Sequence, residues 1–216
     1  MGWNRRPDNE LIMPLQNRVD PFGELCAVSA RGLFLGNRGG RFHRDDRTLS
    51  RRRWTSRAWI CCRLTFKGRH RAVWGPGYTH LFFLDEPTAL AAGHRPCFEC
   101  RRADALAFAA AWAQADALGA APRAGAMDEV LHAQRLERRD KRRHRASLEE
   151  LPDGAIIALD DAPLAVRGDA LLPWSFAGYG PSVPRPRGIA VHLLTPPAVV
   201  AVLDAGYRPQ WHPSAG

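Results

Sequence analysis

The chain has 216 residues, 45% of them hydrophobic, and its 31 Lys and Arg exceed its 22 Asp and Glu, which gives a net charge of +9. This length and apolar content suffice for a buried core, which argues against a disordered chain. No stretch approaches the ~20 apolar residues of a membrane span, and the amino terminus lacks the apolar segment of a signal peptide. We therefore expect a cytoplasmic protein that does not enter a membrane. Its five cysteines, an odd number, favour reduced thiols or a metal site over disulfides.

The amino-terminal third is predicted to contain short strands. Residues 1–17 are polar, show no period and are expected to form a loose arm. Residues 25–35 alternate weakly and lead into the glycine-rich stretch 36–41, which indicates a strand followed by a hairpin turn or loop.

Two further strands are predicted over 57–66 and 69–74, joined by a tight turn at Gly68. Such a turn would bring His70 back beside Cys62. After the second of these strands, a short helix is predicted over 88–92, which begins in an acidic, proline-containing turn and ends before a glycine.

The excess positive charge is concentrated in one segment. Residues 31–71 carry a net charge of +11 and the rest of the chain carries −2. Aromatic residues are interleaved with these arginines, a pattern that suits phosphate contacts and base stacking in a DNA-binding protein, although a solvated basic surface is the alternative. The predicted nucleic-acid-binding residues are Arg38, Arg41, Arg51, Arg52, Arg53, Arg57, Arg63, Lys67, Arg69, Arg71 and Arg95.

Cys97 and Cys100 are spaced to bind one ion, and zinc prefers about four nitrogen or sulfur ligands. Further ligands must come from elsewhere, unless the two thiols bind nothing. Cys61 and Cys62 lie on a predicted strand, where neighbouring side chains point to opposite faces, so only one of them is expected to be a ligand. The candidates for the fourth ligand are the other vicinal cysteine, His70, His80 and His94, and the predicted hairpin favours His70.

Two longer helices are predicted over 103–118 and 127–143. On the second, Asp128 and His132 are four residues apart and share one face, where they can orient a general base or bind a divalent ion for phosphodiester hydrolysis. The alternative is an ordinary helix surface with a packed imidazole. The basic run 138–145 at the end of this helix either extends the DNA-binding surface or is simply solvated.

The carboxy-terminal part is predicted to be β-rich, with strands over 155–159, 164–166 and 189–194 and a last helix over 197–205. The sequence thus predicts an α+β protein. Its parts are a zinc-stabilised basic region over 1–119 with short strands and helices, a helical connector over 120–150 and a small β-rich subdomain over 151–216.

Three motifs of this chain resemble the metal-binding domain of Ada-type DNA repair proteins. They are Cys62-Arg63, the aromatic pair in Leu81-Phe82-Phe83, and an alanine-rich helix followed by Gly93-His94-Arg95-Pro96-Cys97-Phe98-Glu99-Cys100. The resemblance covers about residues 60–104. In that family four cysteines hold zinc, and one of them accepts a methyl group from a DNA phosphotriester. The resemblance implies that Cys62, Cys97 and Cys100 are zinc ligands, whereas the other family cysteine falls on Phe66.

The sequence therefore predicts a zinc-containing DNA-binding protein of DNA processing or repair, with Cys62, Cys97, Cys100 and His70 as metal ligands. As an enzyme it would be a metal-dependent nuclease that uses a second divalent ion or the pair Asp128 and His132. One alternative is a non-catalytic DNA-binding module with a structural zinc. Another is a repair protein that accepts an alkyl group on Cys62.

Overall fold

The computed structural model describes residues 13–68, 72–116 and 119–216. These residues form a β-rich structure of mixed α and β type, with four α-helices, a six-stranded sheet, a seven-stranded sheet and a two-stranded ribbon. The predicted mixture of helices and sheets is confirmed. Within the described residues, none of the helices combines the length and the apolar character needed to cross a bilayer.

The first sheet brings the two predicted cysteine segments together. Its strands, in the order β2-β1-β5-β3-β4-β6 across the sheet, are β1 (Gln16–Val19), β2 (Leu25–Ala27), β3 (Phe34–Asn37), β4 (Ile60–Arg63), β5 (Leu81–Phe83) and β6 (Arg95–Pro96). Strands β4 and β6 are parallel, and Cys61 lies opposite Pro96. Because Cys97 follows directly, this pairing places the vicinal cysteines beside the Cys-x-x-Cys turn.

A ribbon and a second sheet follow. They consist of β7 (Leu136–Glu137), β8 (Asp140–Lys141), β9 (His144–Ser147), β10 (Ile156–Leu159), β11 (Ala162–Arg167), β12 (Ala170–Ser175), β13 (Gly178–Tyr179), β14 (Val183–Pro184) and β15 (Ala190–Leu193). In the sheet the order is β13-β12-β11-β10-β15-β9, and β14 also pairs with β12. The strands predicted in this region are confirmed as β10, β11 and β15. Strand β12 was not predicted.

The four helices are α1 (Glu86–Ala91), α2 (Arg102–Ala115), α3 (Ala124–Arg135) and α4 (Pro197–Asp204). Helix α1 is buried along its whole length and lies where the cores meet. Leu90 packs with α2, α3 and α4, Ala89 packs with the first sheet, and Ala91 packs with the second sheet. The cores therefore extend across the boundaries predicted at residues 119 and 150.

Several predicted elements are corrected. Helix α3 ends at Arg135 rather than at 143, and the chain continues into the ribbon β7–β8, which turns through Arg138 at φ 58°. The buried Arg135 side chain fastens this helix end to the carbonyl of Gly93, 2.9 Å away. No strand forms over 72–74, which is part of a turn, and residues 69–71 lie outside the described residues. Of the predicted loose arm, residues 16–17 belong to β1.

Candidate metal centre and nucleic-acid interface

Cys62, Cys97 and Cys100 form a cluster in which all three sulfur atoms lie within 4.8 Å of one another. Two sulfurs bound to the same tetrahedral zinc at about 2.3 Å are separated by about 3.8 Å, so the cluster needs only small shifts to share one ion. In the part of the chain that the structure describes, no other cluster of three metal-ligating side chains occurs. The cluster can therefore hold a metal ion, as the cysteine spacing predicted.

Alternation along β4 decides which vicinal cysteine joins the cluster. Cys61 is fully buried in the core of the first sheet, where burial raises the pKa of its thiol. Its sulfur accepts a hydrogen bond from Nη1 of Arg101 at 3.4 Å. Cys62 faces the other way and is half-buried among the cluster sulfurs. The prediction that only one of the two would be available is confirmed.

A network of hydrogen bonds holds the Cys-x-x-Cys turn in place. The backbone N–H of Cys97 donates to the carbonyl of Cys61 at 3.0 Å, and the N–H of Arg101 donates to the carbonyl of Cys97 at 3.0 Å. The side chains of Arg101 and Glu86 are fully buried, and Nη2 of Arg101 lies 2.8 Å from Oε2 of Glu86. The hydroxyl of Tyr207 donates to Oε1 of the same carboxylate at 2.7 Å. The turn is therefore anchored to α1 and to the carboxy-terminal region.

The three thiols share charge. Hydrogen bonds from Cys100 and Cys62 lower the pKa of Cys97 to about 2, and the N–H of Glu99 adds a further bond to its sulfur at 3.4 Å. The hydrogen bonds that Cys62 makes to Cys100 and Cys97 raise the pKa of Cys62 above its usual value. The cluster therefore favours one thiolate, and a second or third thiolate would be repelled by the first. A bound cation would remove this repulsion.

The three histidines considered as a fourth ligand differ in their position relative to the cysteine cluster. His70, the favoured one, lies outside the described residues. His94 is not near the cluster: its buried ring contacts Trp59 and Phe83, at centroid distances of 5.0 and 4.6 Å, and its Nε2 accepts a hydrogen bond from Arg38. His80 lines the same cavity as the three cysteines.

This cavity, which we call the thiol cavity, has a volume of about 370 Å³. The three cysteines form one part of its wall, and apolar side chains such as Phe66, Tyr78 and Phe82 form much of the rest. Pockets of a few hundred Å³ with apolar walls and a few polar groups are typical of small-molecule sites. The cluster sulfurs are therefore accessible to a small group as well as to an ion.

The predicted catalytic pair has other partners. Arg95 Nε and Nη2 donate to Asp128 Oδ1 and Oδ2 at 2.8 and 2.7 Å, and both side chains are less than a tenth exposed. Nδ1 of His132 accepts a hydrogen bond from Nη2 of Arg135 at 2.9 Å, and its ring contacts Trp54 at 6.0 Å. Because both carboxylate oxygens are engaged with a guanidinium, Asp128 is placed as a structural residue. The prediction that it activates water gains no support from this geometry.

The predicted nucleic-acid-binding residues divide into three groups. Arg38 and Arg95 are buried, at 2% and 5% exposure, so neither belongs to an exposed phosphate-binding surface. Arg69 and Arg71 lie outside the described residues. The exposed members are Arg41, Arg51, Arg52, Arg53, Arg57, Arg63 and Lys67.

Most of these exposed side chains lie on residues 44–57, which we call the basic loop. It is part of the long connection from β3 to β4, which begins at the glycine-rich stretch predicted to be a hairpin turn or a loop. The loop is held against α3 by an ion pair between Arg57 and Glu129 and by the contact of Trp54 with His132. Its remaining arginines face solvent as a positively charged surface.

Sequence reasoning did not identify Arg101, Arg135 or Lys141, whose charged groups are drawn into the interior. Nη2 of Arg135 donates to the carbonyl of Arg57 at 2.8 Å, and Nζ of Lys141 donates to the carbonyl of Ala91. Charged residues are rarely buried unless they are paired, so a composition pattern gives no sign of them. Only the position of Arg101, directly after Cys100, connects it to a motif.

A scan against models of protein families and searches of curated proteins and of solved structures found no match to this chain.

Proposed function

We propose that this protein binds zinc through Cys62, Cys97 and Cys100 and binds DNA through the basic loop, acting in DNA processing or repair. The observation that carries the proposal is the convergence of three sulfurs from two separate segments of the chain to within 4.8 Å. Thiolates favour zinc, whereas calcium and magnesium prefer oxygen ligands. Zinc at this position would cross-link β4 to the Cys-x-x-Cys turn at the edge of the first sheet.

Charge supports the nucleic-acid part of the proposal. The basic loop carries six arginines against Asp45 and Asp46, and an ion pair with Asp45 engages only Arg41, which precedes the loop. Solvent-facing arginines on an irregular loop can follow a phosphate backbone and release its counterions. Trp54, half-buried on the same loop, fixes the loop on α3 rather than leaving it free.

The metal is tested by measuring the zinc content of the purified protein by mass spectrometry. We expect one zinc per chain in the wild type, none in Cys97→Ser, and wild-type content in the control Cys26→Ser, because Cys26 lies on β2 outside the cluster. A wild-type protein that is folded and takes up no zinc on addition of the ion would refute this part of the proposal.

The DNA interface is tested by fluorescence anisotropy of a labelled duplex over a range of salt concentrations. Replacing Arg51, Arg52 and Arg53 by Gln should weaken binding for all sequences alike. It should also lower the salt slope by about 2.7, that is, about 0.9 for each of three lost phosphate contacts. The control variant replaces three exposed arginines of the second basic run, Arg142, Arg143 and Arg145. Loss in neither variant would contradict binding through the basic loop, whereas loss in both would show that the second basic run belongs to the same surface.

The enzymatic form of the proposal is a metal-dependent nuclease. It would need a second divalent ion near the bound phosphodiester, since Asp128 is paired with Arg95. Plasmid cleavage that requires added Mg²⁺ or Mn²⁺ would support it. DNA binding without cleavage in the presence of either ion would favour the alternative, a non-catalytic DNA-binding module with a structural zinc.

A second candidate function, favoured by the thiol cavity, is acceptance of an alkyl group by Cys62. Its thiolate sulfur would attack the methyl carbon of a methylated DNA phosphate. A sulfur–carbon bond forms, the carbon–oxygen bond breaks, and the electron pair leaves on the phosphate oxygen, which restores the diester. Mass spectrometry after incubation with methylphosphotriester DNA should then find one methyl group on the peptide that contains Cys62. The absence of this modification in zinc-loaded protein that binds the same DNA would exclude the reaction.

A further inference from the structure

A second cavity, separate from the cysteines, lies under the basic loop where the end of α3 and the ribbon β7–β8 meet the turn after β1. We call it the basic cavity. Its volume is about 30 Å³. The charged side chains that line it are Glu24, Arg38, Arg53, Arg135, Arg139 and Lys141. Five of these six are basic, so an anion would be attracted to this place.

The innermost basic side chains form no direct ion pair with a carboxylate, although the charges of Glu24 and Asp20 act to raise the pKa of Arg38 and the charge of Asp20 acts to raise that of Lys141. None of the ion pairs found among the described residues includes Arg38, Arg135 or Lys141. Nη2 of Arg38 donates to the carbonyl of Gly23 at 2.8 Å, and Nη1 of Arg135 donates to the carbonyl of Gly93 at 2.9 Å. These acceptors satisfy hydrogen bonds but do not cancel charge. Buried charges without a direct ion-pair partner are costly, which makes this group unusual for a purely structural feature.

Two further observations point to a ligand. Nε of Arg135 is buried and has no hydrogen-bond partner among the described residues. Burial, together with the neighbouring Arg38 and Arg135, lowers the pKa of Lys141 to about 7. Burial is also the main reason why the pKa values of Arg38 and Arg135 are lowered to about 9 each. An anion in the cavity would reverse these shifts, because it favours the charged form of each neighbour.

The donors are held rigidly. The guanidinium carbons of Arg38 and Arg135 each lie 3.9 Å from the ring centroid of Trp59, which is 2% exposed. Nε1 of Trp59 in turn donates to the carbonyl of Ser56 in the basic loop at 3.1 Å. Arg53 and Arg139, which also line the cavity, are exposed and mark its opening. Fixed donors of this kind lose little freedom when they bind an anion.

We propose that the basic cavity binds a phosphate group through Arg38, Arg135 and Lys141, with Arg53 and Arg139 at its entrance. The space limits the ligand: since one water needs about 10–15 Å³, the cavity admits two or three oxygen atoms of a phosphate group, whose remaining oxygens would lie at the entrance, and it admits no nucleobase. The phosphate is either free inorganic phosphate or the terminal phosphate of a nucleic-acid strand that follows the basic loop. Only the second source rests on the proposed function.

The first arm of the experiment uses inorganic phosphate and the zinc-loaded full chain, titrated calorimetrically against chloride at equal ionic strength. We expect one phosphate per chain in the wild type. Lys141→Met should bind at least about tenfold more weakly, since a charge-assisted hydrogen bond is lost, whereas the neighbouring exposed Arg142→Met should bind as the wild type does. As a measurement that needs no variant, phosphate should raise the unfolding midpoint of the wild type above its value in chloride. No binding and no such rise in folded wild type would overturn the proposal.

The second arm compares single-stranded oligonucleotides of one sequence that carry a terminal phosphate at either end or hydroxyls at both ends. A preference for one phosphorylated end that disappears in Lys141→Met, with unchanged binding of the unphosphorylated strand, assigns the cavity to a strand end. Binding of inorganic phosphate without any end preference assigns it to free phosphate. The first arm requires no DNA binding, so a failure of the basic loop to bind DNA is distinguishable from a failure of the cavity.

Discussion

The paired side chains of Asp128 and Arg95 give the sharpest test of the structure. Replacing Asp128 by Ala removes both acceptors of a bidentate pair with side-chain exposures of 8% and 6%, and leaves the Arg95 guanidinium buried without a carboxylate. Breaking a buried pair from one side costs about 3–5 kcal/mol. The next residue of α3 offers a matched control, because Glu129 pairs with Arg57 at exposures of 58% and 57%. An exposed pair contributes only about 0–1 kcal/mol, so Glu129→Ala should change little.

The assay is equilibrium unfolding in urea, followed by tryptophan fluorescence, with zinc in excess in every sample. At a slope of about 1–3 kcal/mol per molar urea, Asp128→Ala should lower the midpoint by at least about 1 M, and Glu129→Ala by a small fraction of that. A double-mutant cycle with Arg95→Met should give a coupling energy of about 2–3 kcal/mol. Equal effects of the two alanine variants, or a cycle without coupling, would refute the buried pair. Loss of DNA cleavage in an Asp128 variant of unchanged stability would instead restore its catalytic role.

Two other predictions concern buried cations. Arg101→Met should lower the free energy of unfolding by about 3–5 kcal/mol in the same urea assay, because it leaves the fully buried carboxylate of Glu86 without its ion-pair partner. In the control Arg102→Met, which changes the exposed neighbour, the free energy of unfolding should stay within about 0.5 kcal/mol of the wild type. Similar stabilities of the two variants would contradict the hydrogen-bond network that anchors the Cys-x-x-Cys turn. Lys141 has a pKa of about 7 in the folded chain against its ordinary 10.5, so between these values the unfolded chain binds more protons and stability should rise with pH. Lys141→Met should reduce this rise of stability with pH, and near pH 7 in phosphate-free buffer it should be more stable than the wild type. If its stability depends on pH as that of the wild type does, the Lys141 ammonium is not buried.

Local patterns in the sequence were sufficient for the elements that depend on neighbouring residues. The helix over 88–92 was predicted from its first turn and its closing glycine. In the structure Asp85 Oδ1 accepts the N–H of Thr88 at 3.0 Å, and Gly93 adopts φ +85°, a conformation that favours glycine. The alternation of side chains along β4 was likewise a local property, and it separated Cys61 from Cys62 correctly.

The basic run after Arg135 shows where local reasoning failed. Its arginines favour a helix by propensity, but the chain turns into the ribbon β7–β8, where Arg135 and Lys141 reach the carbonyls of Gly93 and Ala91. Those carbonyls lie at the end of α1 and just after it, more than forty residues earlier in the chain. Tertiary contacts of this kind override propensity, and no periodicity in the sequence reveals them.

What the sequence determined by itself is the chemistry available: a Cys-x-x-Cys pair, a second thiol on an alternating strand and a segment dense in arginine. The tertiary structure decided which of these groups meet and which face water. Parallel pairing of β4 with β6 brings Cys62 to Cys97 and Cys100, and the same fold buries Arg38 and Arg95 while it exposes the basic loop. The physical reason is that residue type sets what a side chain can bind, whereas burial and the distance to a partner depend on segments far apart in the chain.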